Sequence, residues 1–237
     1  VLRSNTSGLN EEQAWLVERY FRDFSHAGAE LSEGSRNRVK EINEELSSLQ
    51  TEFAKKLLAD TNDLAVVVDD VADLEGLTPN QIAACKAAAE SRGLKDKWLI
   101  TMVNFTGHPL LSSLKNRALR EKVMKNSLLK GGRKNENDTQ AVLLRMVALR
   151  TERAKLFGLN THAEFVLHEQ TAANPSNVHA MLRKLAPAAV KNAQREGEDI
   201  QALMSRECSD ELQSWDWGFY TEKVRAEKYS LDTAAMK

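Results

Sequence analysis

The chain has 237 residues, 42% of them hydrophobic and 28% charged, with a net charge of -1. That is enough material for one large domain or two small ones, in the ordinary range of soluble globular proteins. The near-neutral charge argues against a nucleic-acid binder, which shows a basic excess, and no apolar run is long enough to cross a membrane. With 4 prolines and 11 glycines, so few breakers favour long helices.

Asn10 and Gln13 form a capping box that opens a helix over Glu11–His26, with an apolar stripe of Trp15, Leu16, Tyr20 and Phe24, closed by Gly28. Ser32 caps the next helix. There Val39, Ile42, Leu46, Leu49, Phe53 and Leu57 recur at three- and four-residue spacing, which puts them on one face. The two helices are expected to form a hairpin over 10–60. Leu64–Val68 is short and β-branched and predicts a strand, with Trp98–Met102 as its partner. Between them Thr78, Pro79 and Gln81 give an N-cap, a proline at the first helical position and a second capping box. The segment 64–103 is therefore read as a strand–helix–strand insert.

Helices resume over 108–237. Pro109 starts a short one, continued by Ser113–Leu129. Lys130-Gly131-Gly132-Arg133-Lys134 reads as a solvated loop. Val142, Leu143, Met146, Val147, Leu149 and Leu156 mark the next helix, and Thr161–Gln170 another. Asn174-Pro175 opens a long helix to about Cys208, which Pro187 is expected to kink or divide. Trp215–Tyr220 leads into the last helix, over Gly218–Lys228. The fold class is mainly α: a multi-helical region with one small α/β insert.

Chemistry is sparse. His168-Glu169 resembles the start of the His-Glu-x-x-His zinc helix, whose imidazoles share a face four residues apart. Position 172 is alanine, however, and His162 lies about 240° around a helix at ~100° per residue. His26, His108 and His179 stand alone. Gly131-Gly132 lacks the Lys-Ser/Thr of a phosphate loop, and there is no Gly-x-Ser-x-Gly elbow. Glu44-Glu45 and Asp69-Asp70 are adjacent and do not converge, so solvation is expected of them. Cys85 and Cys208 are expected to be free thiols. Trp215, Trp217, Phe219 and Tyr220 are read as an anchor for the last helix, with a ligand-facing wall as the alternative. No catalytic, cofactor-binding or metal-binding residue is assigned.

Several stretches carry a resemblance. They are Leu16–Phe21 followed by Ala27-Gly28-Ala29; Val67–Gln81; Lys95–Ile100; Asn116–Lys122; Leu149–Gly158; and Trp215–Tyr220 continuing through Val224–Tyr229. In that order, over essentially the whole chain, the sequence resembles the N-terminal part of the thimet oligopeptidase-like zinc metallopeptidases, in particular their bacterial peptidyl-dipeptidase branch. The resemblance implies a mainly helical fold, part of a two-lobed enzyme with a deep narrow channel. It also implies zinc-dependent release of C-terminal dipeptides from short peptides, and the cytoplasm as compartment. The family's zinc helix lies downstream of the Tyr229 region, so none of its ligands, its base or its oxyanion donors can be carried onto this chain. The segment is expected to be an inactive part of the enzyme that shapes the channel, with the C-terminal half as partner. It is also expected to self-associate or to show an apolar patch on its last helices. A non-enzymatic helical scaffold and a sister oligopeptidase of the same family stay open as alternatives.

Overall fold

The computed structural model describes residues 8–102 and 107–229. Its elements are α1 (Glu11–His26), α2 (Glu33–Asp63), β1 (Val66–Val68), α3 (Pro79–Ser91), β2 (Trp98–Ile100), α4 (Gly107–Leu111), α5 (Arg117–Leu128), α6 (Gln140–Leu156), α7 (His162–Leu167), α8 (Pro175–Met204) and α9 (Ser214–Tyr229). The protein is mainly α, with one two-stranded sheet among the described residues. Contacts divide it into two compact units, 1–53 with 141–182 and 54–140 with 183–237. Neither follows the consecutive order 10–60, 64–103, 108–237.

In the first unit the stripe of α2 meets α6. Ile42, Leu46, Leu49 and Phe53 pack on Val142, Met146, Leu149 and Leu156. Arg38 reaches Glu152 at 2.7 and 3.1 Å, and Arg145 reaches Glu45 at 2.6 and 2.8 Å. Rising numbers on α2 thus pair with falling numbers on α6, so the two helices are antiparallel. α1 buries no side chain, and the core partner of α2 comes from a hundred residues downstream. The stripe Trp15, Leu16, Tyr20 and Phe24 faces outward. The capping box at Asn10 and Gln13 forms as read.

In the second unit β1 and β2 pair antiparallel, Val66 with Ile100 and Val68 with Trp98, and α3 between them opens on the Thr78–Gln81 capping box. Val66, Val68, Leu74, Ile100, Met102, Leu114 and Val123 form its largest apolar cluster. The helix expected over 113–129 starts later, at Arg117. Asn116 caps α5 by accepting from the Leu119 N–H at 3.0 Å, and the turn before it is bound to the segment after β1. There the Lys115 N–H donates to the Glu75 carbonyl at 2.9 Å, and Asn116 donates to Asp73 at 2.7 Å. Gly76 sits in this contact at φ +97°, and a Cβ on it would lie 2.0 Å from the Ser113 carbonyl oxygen. Only glycine meets both demands. Pro187 does not divide α8, which continues for 30 residues. It stands where the helix is exposed on every side, so no neighbouring element crowds its ring.

Candidate functional site

The most constrained polar cluster in the second unit joins α5 to α9. The Asp216 carboxylate is sealed from water, as is the Arg120 side chain to within 2%. Arg120 donates to Asp216 at 2.8 Å, to the carbonyls of Leu114 and Lys115 at 2.9 Å each and to that of Trp215 at 3.2 Å. Its guanidinium lies 4.3 Å from the centre of the Phe219 ring. Arg117 adds bonds to Asp216 at 3.0 and 2.8 Å, and the Gln213 N–H donates to the same carboxylate at 3.2 Å. Burial opposes ionisation of Asp216. The donors from Arg117, Arg120 and Gln213 outweigh it and hold the carboxyl below its ordinary value. A buried ion pair persists only with such complete hydrogen bonding. Four of the five Arg120 N–H donors are taken up within the protein, and the cluster fixes α9 against α5.

That placement sorts the aromatic residues. Tyr220 is buried with Ile200 and Met204, and burial, with Glu207 beside it, pushes its phenol up to about 12. At Gly218 α9 lies beside the Ser112 backbone, where a Cβ would make ordinary van der Waals contact. Phe219 and Tyr220 therefore anchor the helix. Trp217 instead rests on Gly197, 3.4 Å from where a Cβ would stand, and lines a groove of about 750 Å³ between α8 and α9. Ile200 and Val224 continue its apolar strip. Lys228 pairs with Asp199 at its border at 2.5 Å, and Arg225 pairs with Glu222.

A second buried carboxylate was not legible in the sequence. Asp60, near the end of α2, is fully buried. It accepts from the Gly131 N–H at 2.6 Å and from Arg133 Nε at 2.7 Å. Lys130 donates to the Met102 carbonyl at 2.8 Å. The run Lys130–Lys134 is therefore no free solvated loop: two of its cations are tied to the body of the unit. Burial pushes the Asp60 carboxyl up, but Arg133 and the Gly131 amide outweigh it and the net direction is down. Glu45 and Asp69, read as solvated, are paired to Arg145 and Lys97, and Asp70 caps the turn after β1 through the Ala72 N–H.

The histidines do not converge. α7 ends at Leu167 and His168 is its C-cap, so the expected helix to Gln170 stops short, and Glu169 lies beyond it. The Glu169 carboxylate stands 3.7 Å from His26 Nδ1, while His26 Nε2 contacts the Phe165 carbonyl at 3.0 Å. The His26 and Phe165 rings stack at 3.9 Å. His162 leaves a buried Nδ1 without a partner, and burial, then Arg150 and Arg153, hold its imidazole below the usual value. His179 is exposed on α8, and the His108 side chain lies outside the described residues. Cys85 and Cys208 are both free. Among the described residues no group of three or more His, Cys, Asp or Glu could hold a metal ion, so they do not fit a zinc site. Nor is any described helix long and apolar enough to cross a membrane.

Both halves of the Arg120–Asp216 cluster fall inside a match to the model of peptidase family M3, which covers residues 110–237. The chain belongs to peptidase family M3. It is 35% identical over 236 residues to the dipeptidyl carboxypeptidase of Escherichia coli (strain K12), covering 99% of this chain and 35% of that protein. It is 34% identical over 231 residues to the dipeptidyl carboxypeptidase of Salmonella typhimurium, covering 97% of this chain and 34% of that protein. To oligopeptidase A of Haemophilus influenzae it is 31% identical over 230 residues, with shares of 95% and 34%. The chain thus spans about a third of the length of the curated relatives it matches.

Proposed function

We propose that this chain is part of a cytoplasmic, zinc-dependent peptidyl-dipeptidase that removes C-terminal dipeptides from short peptides. In this reading the zinc ligands and general base lie in other residues of the enzyme. The packed helices described above supply wall surface along which the peptide runs, with the Trp217 groove the surface best suited to side-chain contact. The supporting observation is the 35% identity over 236 residues to a dipeptidyl carboxypeptidase. The partners are short peptides and the rest of the enzyme's polypeptide, and the isolated chain associates with itself through apolar surface.

The test uses the longer polypeptide that carries this segment. Short acylated peptides with a free C-terminal carboxylate should release dipeptides one after another, chelator should stop release, and zinc should restore it. The same peptides with an amidated C-terminus should be cut poorly. Equal cleavage of free and amidated peptides at internal bonds would replace this reading with an endo-acting oligopeptidase, which the 31% identity to an oligopeptidase A keeps as the second reading. No cleavage with zinc present would remove both.

A further inference from the structure

The C-terminal end of α1 is fastened to α7 through His26. Little burial helps it: α1 buries no side chain, and Trp15, Tyr20 and Phe24 are each more than half exposed. A cavity of about 350 Å³ separates the helix from the α6–α7 turn. Phe21, Arg22 and Ser25 of α1 line one side, and Phe157, Leu159 and Phe165 line the other. The His26 ring stacks on Phe165 at 3.9 Å, and its two nitrogens meet two different oxygens. Nε2 lies 3.0 Å from the Phe165 carbonyl, and Nδ1 lies 3.7 Å from the Glu169 carboxylate.

Those partners fix the proton inventory of the ring. A carbonyl oxygen only accepts, so Nε2 carries a hydrogen. In the neutral imidazole Nδ1 is then bare, and its lone pair faces a carboxylate that also only accepts. The imidazolium has a hydrogen on each nitrogen and satisfies both oxygens at once, the second through a charge-assisted contact. Other charges surround the ring. Glu18, Arg22, Glu30 and His168 line the same cavity. Arg19 pairs with Asp23 at 3.0 Å and feels the Glu169 charge. From α6 the Arg153 guanidinium lies 5.0 Å from the Phe165 ring centre. From α7 the His162 ring lies 6.4 Å from it, and Glu164 is engaged in the α7 cap. Glu169 is the carboxylate that faces Nδ1.

We propose that α1 is a proton-operated lid: protonation of His26 latches its last turn to Glu169 and Phe165, and loss of that proton frees the helix to leave the cavity and uncover Phe157 and Phe165. The latched state binds the proton more tightly, so it gains population as pH falls and loses it as pH rises. Because α1 buries no side chain, the change is a local opening and not global unfolding. It does not depend on the peptidase reading.

Amide hydrogen exchange on the full chain, corrected for the intrinsic pH dependence of exchange, tests this. Protection of 11–26 should be about threefold or more higher near pH 5 than near pH 8, the range in which histidine changes charge while carboxylates stay ionised. The direction separates it from a global loss of stability, which lowers protection as pH falls. His26→Gln keeps a donor for the Phe165 carbonyl but cannot take the charge, and should abolish the rise. Glu169→Lys sets a donor opposite Nδ1, which favours the bare nitrogen, and should reverse the sign so that α1 is better protected near pH 8. Protection of 11–26 that stays level or falls on acidification of the parent chain overturns the proposal. So does a rise that survives His26→Gln, or one that Glu169→Lys leaves unreversed.

Discussion

Arg120 and Asp216 are 96 residues apart in sequence and meet at 2.8 Å, both closed off from water. The two stretches that hold them, Asn116–Lys122 and Trp215–Tyr220, are also two of those that carry the family resemblance. The ion pair joins two of these stretches: Asp216, held by Arg117, Arg120 and the Gln213 N–H, fixes α9 against α5.

Removing the carboxylate leaves Arg120 charged, buried and facing carbonyls. Asp216→Ala should lower unfolding free energy by roughly 3–5 kcal/mol, measured by urea denaturation. Asp216→Asn keeps the volume and some hydrogen bonds and should cost less. An Asp216→Ala protein as stable as the parent would remove the cluster from its structural role.

Gly76→Ala should destabilise by more than the 1–3 kcal/mol typical of a strained backbone position, because φ +97° and a 2.0 Å clash with a backbone oxygen act together. Gly93→Ala is the internal comparison: it shares a positive φ but meets nothing within 4 Å, so it should cost only the strain. Equal midpoints for the two variants would contradict the contact between the Gly76 turn and Ser113.

Stability should fall in two steps on acidification. His162 titrates low, chiefly from burial and then from Arg150 and Arg153. As pH drops through about 6.5 the unfolded chain therefore takes that proton first and stability declines. Asp60 and Asp216 are also held low. Their contribution is complete above the unfolded carboxylate value of about 3.9 and is lost as pH falls through their folded values. Urea midpoints across pH check the sign. His162→Gln should flatten the upper step, and Asp60→Asn the lower one.

The two thiols should separate kinetically. Cys208 is half-buried, whereas Cys85 is buried and burial pushes its thiol up. Thiolate is the reactive form, so a disulfide reagent should modify Cys208 first and reach Cys85 only as the protein unfolds. Simultaneous modification in the native protein would contradict the burial of Cys85.

Features written in local sequence were legible. Both capping boxes, the strand pair around α3 and the periodic stripe of α2 depend on residues within a few positions of one another. What escaped depends on distant partners. The α2 stripe says that a face is buried but not that α6 covers it. Asp60 looks like any acidic residue near a helix end, because its partners Gly131 and Arg133 lie some seventy residues on. The outward turn of Trp15, Tyr20 and Phe24 reverses the usual meaning of an apolar stripe, since periodicity records a face and not what meets it. α7 ends at Leu167, and in the segment after it Ala173 adopts φ +62°, which no residue type announces. For the candidate site, the Trp-Asp-Trp segment was visible as a cluster, but its division into anchor and groove needed Gly197 and Arg120 in place.

The central claim is that these helices belong to a peptidase whose chemistry resides in other residues. The direct measurement is release of dipeptides from a short acylated peptide by the purified chain with added zinc, followed by chromatography with and without chelator. The prediction is no chelator-sensitive release at any protein concentration. Chelator-sensitive turnover that follows the chain through purification would contradict it, and would place the catalytic site within this chain.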